Sequence, residues 1–253
     1  MTGDSLKQRL LRGDKQLGLV VLLPSPDLAE ILGHAGLDMV MIDHEHGGGG
    51  LADFVAQDRA LTGSRTRSMV RVPHGELAYA QRLLDNGAQA IVYPGVDRAD
   101  QADAFVRACR YPPNGHRGAG AGLRAARYGI DGGYYEPSVE SGRLLVAQIE
   151  SATAVENVDA ICAVEGVDML LLGPRDLSAS IGKLNRFDDT ELQSLIEHAA
   201  ARIRASGKLL ASTLLPGLTV AQMFAQGYDL ILAGKDTDFL VAGAQRLVET
   251  PRA

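Results

Sequence analysis

Tryptophan is absent from this 253-residue chain, aromatic residues of all kinds reach 5%, and there are two cysteines. Cys109 and Cys162 stand far apart and form no Cys-x-x-Cys pair. A disulfide framework or a cysteine-held zinc needs more thiols at closer spacing, so both read as packed thiols in a reducing compartment. Excess positive charge is also lacking. A formal net charge of −6 repels polyanions and argues against nucleic acid or an anionic membrane as a partner. Leu17 to Leu23 is a typical apolar run, far short of the roughly 18 residues that cross a bilayer. Met1 to Gln16 mixes Leu6, Leu10 and Leu11 with Lys7, Arg9 and Arg12 and has no secretory apolar core. A cytoplasmic chain is therefore expected. No P-loop, nucleophile elbow or kinase loop is present either.

What remains is ample aliphatic content, 46% hydrophobic against 22% charged, arranged as a repeating pattern. Short apolar runs at Leu17–Leu23, Met39–Asp43, Met69–Val72, Ala90–Tyr93, Leu144–Ile149, Met169–Leu172, Leu209–Leu214 and Leu230–Ala233 read as buried strands. Each is followed by a helical pattern. Leu28, Ile31, Leu32 and Ala35 show the i, i+3, i+4, i+7 spacing before Gly36, and Leu192, Leu195, Ile196, Ala199 and Ile203 do the same before Gly207. Further helices are expected from Leu51, over Gly75–Asn86, Asp97–Arg110, Ala152–Val164 and Val220–Gln226, and over Thr237–Val248 at the end. Uninterrupted apolar strands between helices imply a parallel sheet covered on both faces. Eight such units in this length predict an α/β chain folded as one (β/α)8 TIM barrel domain over 1–253. An open doubly wound sheet is the alternative, but Gly118-Ala-Gly120-Ala-Gly122 has the wrong spacing for a dinucleotide loop and follows no strand. Pro112 to Arg143 breaks the rhythm, and a segment that long is either an active-site wall or subunit contact, or a bland insertion.

In a barrel, chemistry gathers where strands end. Those positions hold Asp43, His44, Glu45 and His46 after the second strand and Arg71 after the third. Gln148 and Glu150 follow the fifth, and Gly173-Pro174-Arg175-Asp176 the sixth. Glu150 and Asp176 suit an oxygen-preferring divalent cation whose other ligands are water and substrate. Their bland reading is a helix-capping Asp and a Glu paired with a basic residue. His44 and His46, two apart, would share a face in extended chain and both reach a metal. Arg71 offers its fork to a carboxylate or enolate oxygen, or else to Asp43 or Glu45 internally. Gly47 to Gly50 is a pliable loop or a source of amides for an anion. His34, His74 and His198 read as surface or loop residues, and His116 stands beside Arg117 in the glycine-rich segment.

Six stretches in order, Leu37-Asp-Met-Val-Met-Ile-Asp-His-Glu-His46, Val70-Arg-Val-Pro73, Leu84-Asp-Asn-Gly-Ala88, Tyr111-Pro-Pro-Asn-Gly-His-Arg-Gly118, Gln148-Ile-Glu-Ser151 and Leu172-Gly-Pro-Arg-Asp-Leu-Ser-Ala-Ser-Ile-Gly182, resemble the HpcH/HpaI aldolase family from about Leu17 to Leu240. The resemblance implies a metal-dependent (class II) pyruvate aldolase with a divalent cation such as Mg²⁺, Mn²⁺ or Co²⁺ on Glu150 and Asp176, and no organic cofactor. It implies His46 as base, Arg71 as the transition-state arginine and Asp85 as the acid that raises the histidine's basicity. Gln148, Arg71 and the Gly173-Pro174-Arg175-Asp176 turn would contact a small 2-oxo acid and its aldehyde partner. A homo-oligomer, hexameric or dimer-based, is implied, with the last helix exchanged between subunits. Three departures bear on specificity: Arg175 stands where a small residue or Asn is usual, His44 where Gly is common, and Gly47 to Gly50 in place of an Ala-Pro turn. Two other readings share the barrel, a citrate lyase β-like enzyme acting on a CoA thioester and a barrel that only binds. Lys235 after the eighth strand is the one rim lysine that suggests Schiff-base chemistry.

Overall fold

The structure is a computed structural model describing residues 4–250, and the ends of the expected 1–253 domain lie outside them. Eight strands run β1 (Gln16–Val21), β2 (Met39–Asp43), β3 (Arg67–Arg71), β4 (Ala90–Tyr93), β5 (Leu144–Ile149), β6 (Met169–Leu172), β7 (Leu209–Thr213) and β8 (Leu230–Lys235). Each pairs in parallel with the next and β8 pairs with β1, closing the barrel in sequence order. Closure leaves no strand edge, so the open-sheet alternative falls away.

Alternation along the strands sorts two cores. Met39, Met41, Met69, Val92, Val146, Met169, Leu171 and Leu232 fill the barrel interior. Their neighbours Val40, Ile42, Val70, Ile91, Leu145, Ala147, Leu170 and Ile231 face outward under the helices. Gly18 makes room within the barrel, because a Cβ there would lie 2.0 Å from the sulfur of Met39, its register partner on β2. Continued towards the C-terminal rim, the inward stripes reach Asp43 on β2, Arg71 on β3, Gln148 then Glu150 on β5, and Gly173 after β6. The interior changes from apolar to polar at that end.

Several expectations shift. The first strand stops at Val21 because the amides of Leu22 and Leu23 donate to the buried Asp236 carboxylate at 3.0 and 2.9 Å instead of to a ladder. The third strand starts two residues early, at Arg67. The single helix expected over Ala152–Val164 is two, Ala152–Glu156 and Val158–Cys162, broken at Asn157, whose side-chain amide donates to the Asp97 carbonyl. The stretch after β6 contains a helix, Pro174–Ser180, and Ser5 caps another at Leu6–Leu11 that pattern reading left unassigned. Leu6 and Leu10 of that helix are buried in the barrel interior. The 112–143 segment folds against the C-terminal ends of helices Leu77–Asp85 and Ala99–Cys109: Arg117 donates to Asp85, and the Tyr134 hydroxyl to the Leu84 carbonyl. Those ends belong to the N-terminal face of the barrel, so within one chain the segment forms no wall of the catalytic rim. Cys109 and Cys162 are free and buried, as packed thiols. Among the described residues no helix is long and apolar enough to cross a membrane.

Candidate active site

At the rim, adjacent strands place an acid beside a base. Asp43 and Arg71 are register partners on β2 and β3. Both face inward, and the guanidinium grips the carboxylate at two points, Nε to Oδ1 at 3.0 Å and Nη2 to Oδ2 at 2.6 Å. Asp43 is fully withdrawn from solvent. Burial works against its charge, yet the Arg71 guanidinium and the amides of His46 and Glu45 outweigh it and hold the carboxyl below the usual range. The same Oδ1 accepts from the Glu45 and His46 amides at 3.0 and 3.2 Å. One buried carboxylate thus fixes both Arg71 and the turn that carries His46. Arg71 Nε also lies 3.3 Å from Glu45 Oε2. Its remaining Nη1 reaches Gln148 Oε1 only at 3.5 Å and is the end left for another ligand. Both internal pairs considered for Arg71 therefore exist, and they orient the free end instead of consuming it.

Glu150 is the electrostatic oddity. Its Oε1 accepts the Gly95 amide at 2.7 Å and its Oε2 the Gln148 side-chain amide. Arg71 spends its ion pairs on Asp43 and Glu45, so the Glu-with-basic-partner reading does not hold. Burial first, then the neighbouring Asp176 carboxylate, push the Glu150 carboxyl up to about 7. Gly173 is tightly packed here, since a Cβ would sit 2.9 Å from Glu150 Cβ and 3.1 Å from Gln148 Nε2. Asp176 is exposed in the first turn of Pro174–Ser180, where Gly173 occupies the cap position. The capping reading of Asp176 therefore fails as well. Two neighbouring oxygen donors, one half-buried and without a cationic ion-pair partner among the described residues, the other exposed, fit a hard divalent cation that keeps water or substrate on its other positions. Among the described residues no cluster of three or more His, Cys, Asp or Glu forms a full protein cage.

The two histidines separate. His46 is exposed, with Nε2 3.8 Å from Glu45 Oε2. His44 is buried against Tyr79, its Nδ1 3.0 Å from the Tyr79 hydroxyl, and burial lowers its pKa. They share no face, so a paired histidine metal site is ruled out. Arg175 points to solvent. Lys235 is half-exposed, 3.3 Å from Asp238, without the apolar pocket that activates a Schiff-base lysine. Asp85 is not brought to His46. It ends helix Leu77–Asp85 on the opposite face and pairs with Arg117 at 2.6 Å. Pattern reading placed Asp43 and Glu45 on the rim only as internal ion-pair partners for Arg71, without a part in the chemistry. It missed Gly95 altogether, although Tyr93-Pro94-Gly95 directly after β4 is a turn signal at a strand end.

A family model described as HpcH/HpaI aldolase/citrate lyase matches residues 16–242. The chain is 40% identical over 246 residues to a hydroxypyruvate/pyruvate aldolase of Pseudomonas aeruginosa, covering 96% of this chain and 91% of that one. It is 38% identical over 238 residues to a 2-keto-3-deoxy-L-rhamnonate aldolase of Salmonella gallinarum, covering 94% and 89%. The crystal structure of a HpcH/HpaI aldolase/citrate lyase family protein from Burkholderia cenocepacia superposes with a TM-score of 0.92 at 31% identity, over 98% of both chains. A closed barrel whose inward stripes end in Asp43, Arg71, Gln148 and Glu150, matched along nearly its whole length, makes this chain a member of the HpcH/HpaI aldolase/citrate lyase family and an enzyme of the aldolase type.

Proposed function

We propose that the chain is a divalent-metal-dependent aldolase that breaks and forms the C3–C4 bond of 4-hydroxy-2-oxo acids, with pyruvate or a related 2-oxo acid as donor and an aldehyde as acceptor. The observation that carries this reading is Glu150: a half-buried carboxyl, without an ion-pair partner among the described residues, beside Asp176 and within the field of Arg71. The names of the relatives, aldolases of hydroxypyruvate or pyruvate and of a keto-deoxy sugar acid, support a 2-oxo acid substrate.

Glu150 and Asp176 would hold the cation, which when bound supplies Lewis acidity towards the oxygens of a 2-oxo acid. Arg71 places its free Nη1 where negative charge gathers on the enolate oxygen, charge that is absent from the ground state and therefore lowers the barrier when stabilised. Asp43 keeps that guanidinium from turning away. His46, at the solvent edge, accepts the proton of the C4 hydroxyl as the C3–C4 electrons move into the enolate and the aldehyde departs. Protonation at C3 then yields the 2-oxo acid. Gln148, between Arg71 and Glu150, keeps their side chains in register. Arg175 stands outside this set and offers positive charge to an anionic acceptor. Asp85 can act on a histidine only across two copies of the chain, so its role implies a homo-oligomer.

Solvent exchange tests the donor half-reaction alone. Chelator-stripped protein in D₂O should exchange the methyl protons of pyruvate when Mg²⁺ is added, and Glu150→Ala should abolish that exchange. Exchange that persists with chelator present sinks the proposal.

A further inference from the structure

The N-terminal face carries a second charged feature, far from the rim. A cleft of about 590 Å³ opens between the start of β3, the start of β4 and the 124–131 turn, and Arg59, Arg67, Arg124 and Arg127 line it with Asp58 and Asp131. That volume is on the scale of small-molecule sites. Not all of this charge is balanced. Arg124 pairs with Asp58 at 2.8 Å and also donates to the Asn86 carbonyl, so those two residues cancel. Arg67 donates through Nη1 to the carbonyls of Ser64 and Thr66 and meets no carboxylate among the described residues. Among the described residues Arg59 reaches only the Tyr128 hydroxyl, at 3.4 Å. Arg127 has no side-chain partner among the described residues.

Three guanidiniums therefore face the single remaining carboxylate, Asp131, and the cleft carries about two uncompensated positive charges in a chain whose net charge is −6. Arg67 is also close enough to the buried Arg9 to disfavour its charge, with burial the larger cause and Arg65 adding to it. The backbone adds an independent sign. Arg127 and Tyr128 adopt φ of 50° and 59°, a left-handed conformation that non-glycine residues rarely adopt and that clusters at active sites, ligand clamps and switch regions. Amides of Tyr128 and Asp131 donate back to Leu123 and Ala126 and hold the turn in that shape.

We propose that this cleft is a binding site for a compact dianion, a phosphate monoester or a dicarboxylate, taken by the forks of Arg59, Arg67 and Arg127. Planar guanidiniums match both ligand types at two points each. The proposal holds for any donor or acceptor used at the rim.

Isothermal titration of the full chain with inorganic phosphate and with succinate, each against NaCl of matched ionic strength, tests it. The protein is chelator-stripped wild type, Arg71→Gln to remove the rim guanidinium as a competing anion site, and the double variant Arg59→Gln/Arg127→Gln. The expected result is saturable binding at one anion per chain, unchanged in Arg71→Gln and weakened about tenfold or more in the double variant, whose turnover stays at the wild-type level. Tighter phosphate identifies a phosphate monoester, tighter succinate a dicarboxylate. Three results overturn the proposal: no saturation beyond the NaCl control, binding lost in Arg71→Gln, or a lower assembly mass for the double variant, which would make the cleft a contact between copies.

Discussion

Glu150 is pulled in opposite directions by burial and by chemistry. In the metal-free chain its carboxyl rises from 4.5 to about 7. Between those values the folded state keeps a proton that the unfolded chain has released, so this group's contribution to stability falls as pH rises from about 4.5 through about 7. The penalty above that window is of order 3 kcal/mol at most. Glu150→Gln removes it. The metal-free variant should melt above wild type at pH 8 and level with it near pH 4.5, and Mg²⁺ should raise the melting temperature of wild type alone. Thermal scans at the two pH values, with and without metal, check this. Arg71 responds in the contrary sense. Lysine cannot reproduce a two-point grip on Asp43, so Arg71→Lys should lower kcat about a hundredfold or more with a smaller effect on KM, as expected when charge stabilisation belongs to the transition state. Steady-state kinetics on a 2-oxo acid aldol separates the two parameters. Both residues were legible from sequence because a strand's period of two carries the inward stripe of Val146 and Gln148 to Glu150, and of Met69 to Arg71. The split of Arg71 between an internal grip and a free end was not legible, since it depends on side-chain torsions that no spacing encodes. The Gly95 amide was hidden for a simpler reason: a backbone donor has no residue identity.

At the scale of elements, strands were readable where apolar runs are bounded by turn residues, and ends were misread where a side chain took over a backbone hydrogen bond. Asp236 shows this, since it ends β1 from a position more than two hundred residues away. Asn157 does the same within a helical pattern, and Leu6–Leu11 escaped notice because three leucines among basic residues look like a solvent-facing start until the barrel floor needs covering. Two glycines set how closely the elements approach. Gly173→Ala puts a methyl against Glu150 and Gln148, so it should weaken Mg²⁺ binding about tenfold while the far-UV spectrum stays that of wild type. Gly18→Ala meets Met39, including its backbone oxygen at 2.9 Å. Overpacking of that kind costs about 1–3 kcal/mol, and a lower urea midpoint with unaltered metal affinity should result. The contrast between the two variants separates the floor of the barrel from its rim.

For the whole molecule, the decisive fact is that the barrel has two ends and its expected machinery is divided between them. His46 lies at the C-terminal rim and Asp85 at the N-terminal face, already paired with Arg117. A single closed barrel cannot bring them together, because its interior between those ends is filled by Met39, Met41, Met69, Val92 and their layer-mates. Helix Asp236–Val248 meanwhile exposes Phe239, Leu240, Val241, Leu247 and Val248, an apolar surface suited to covering by another copy. If Asp85 serves His46 across a subunit boundary, damage to the two residues should be complementable. His46→Gln and Asp85→Asn, each nearly inactive alone, should recover measurable aldol cleavage when mixed, unfolded and refolded together, because some interfaces then unite an intact histidine with an intact aspartate. The same mixture with Leu240→Asp and Leu247→Asp added to both chains should run as monomers in sedimentation and recover nothing. Recovery in those monomers, or none in the parent mixture despite full assembly, would place the histidine's acidic partner within its own chain, where Glu45 at 3.8 Å is the residue in position to serve.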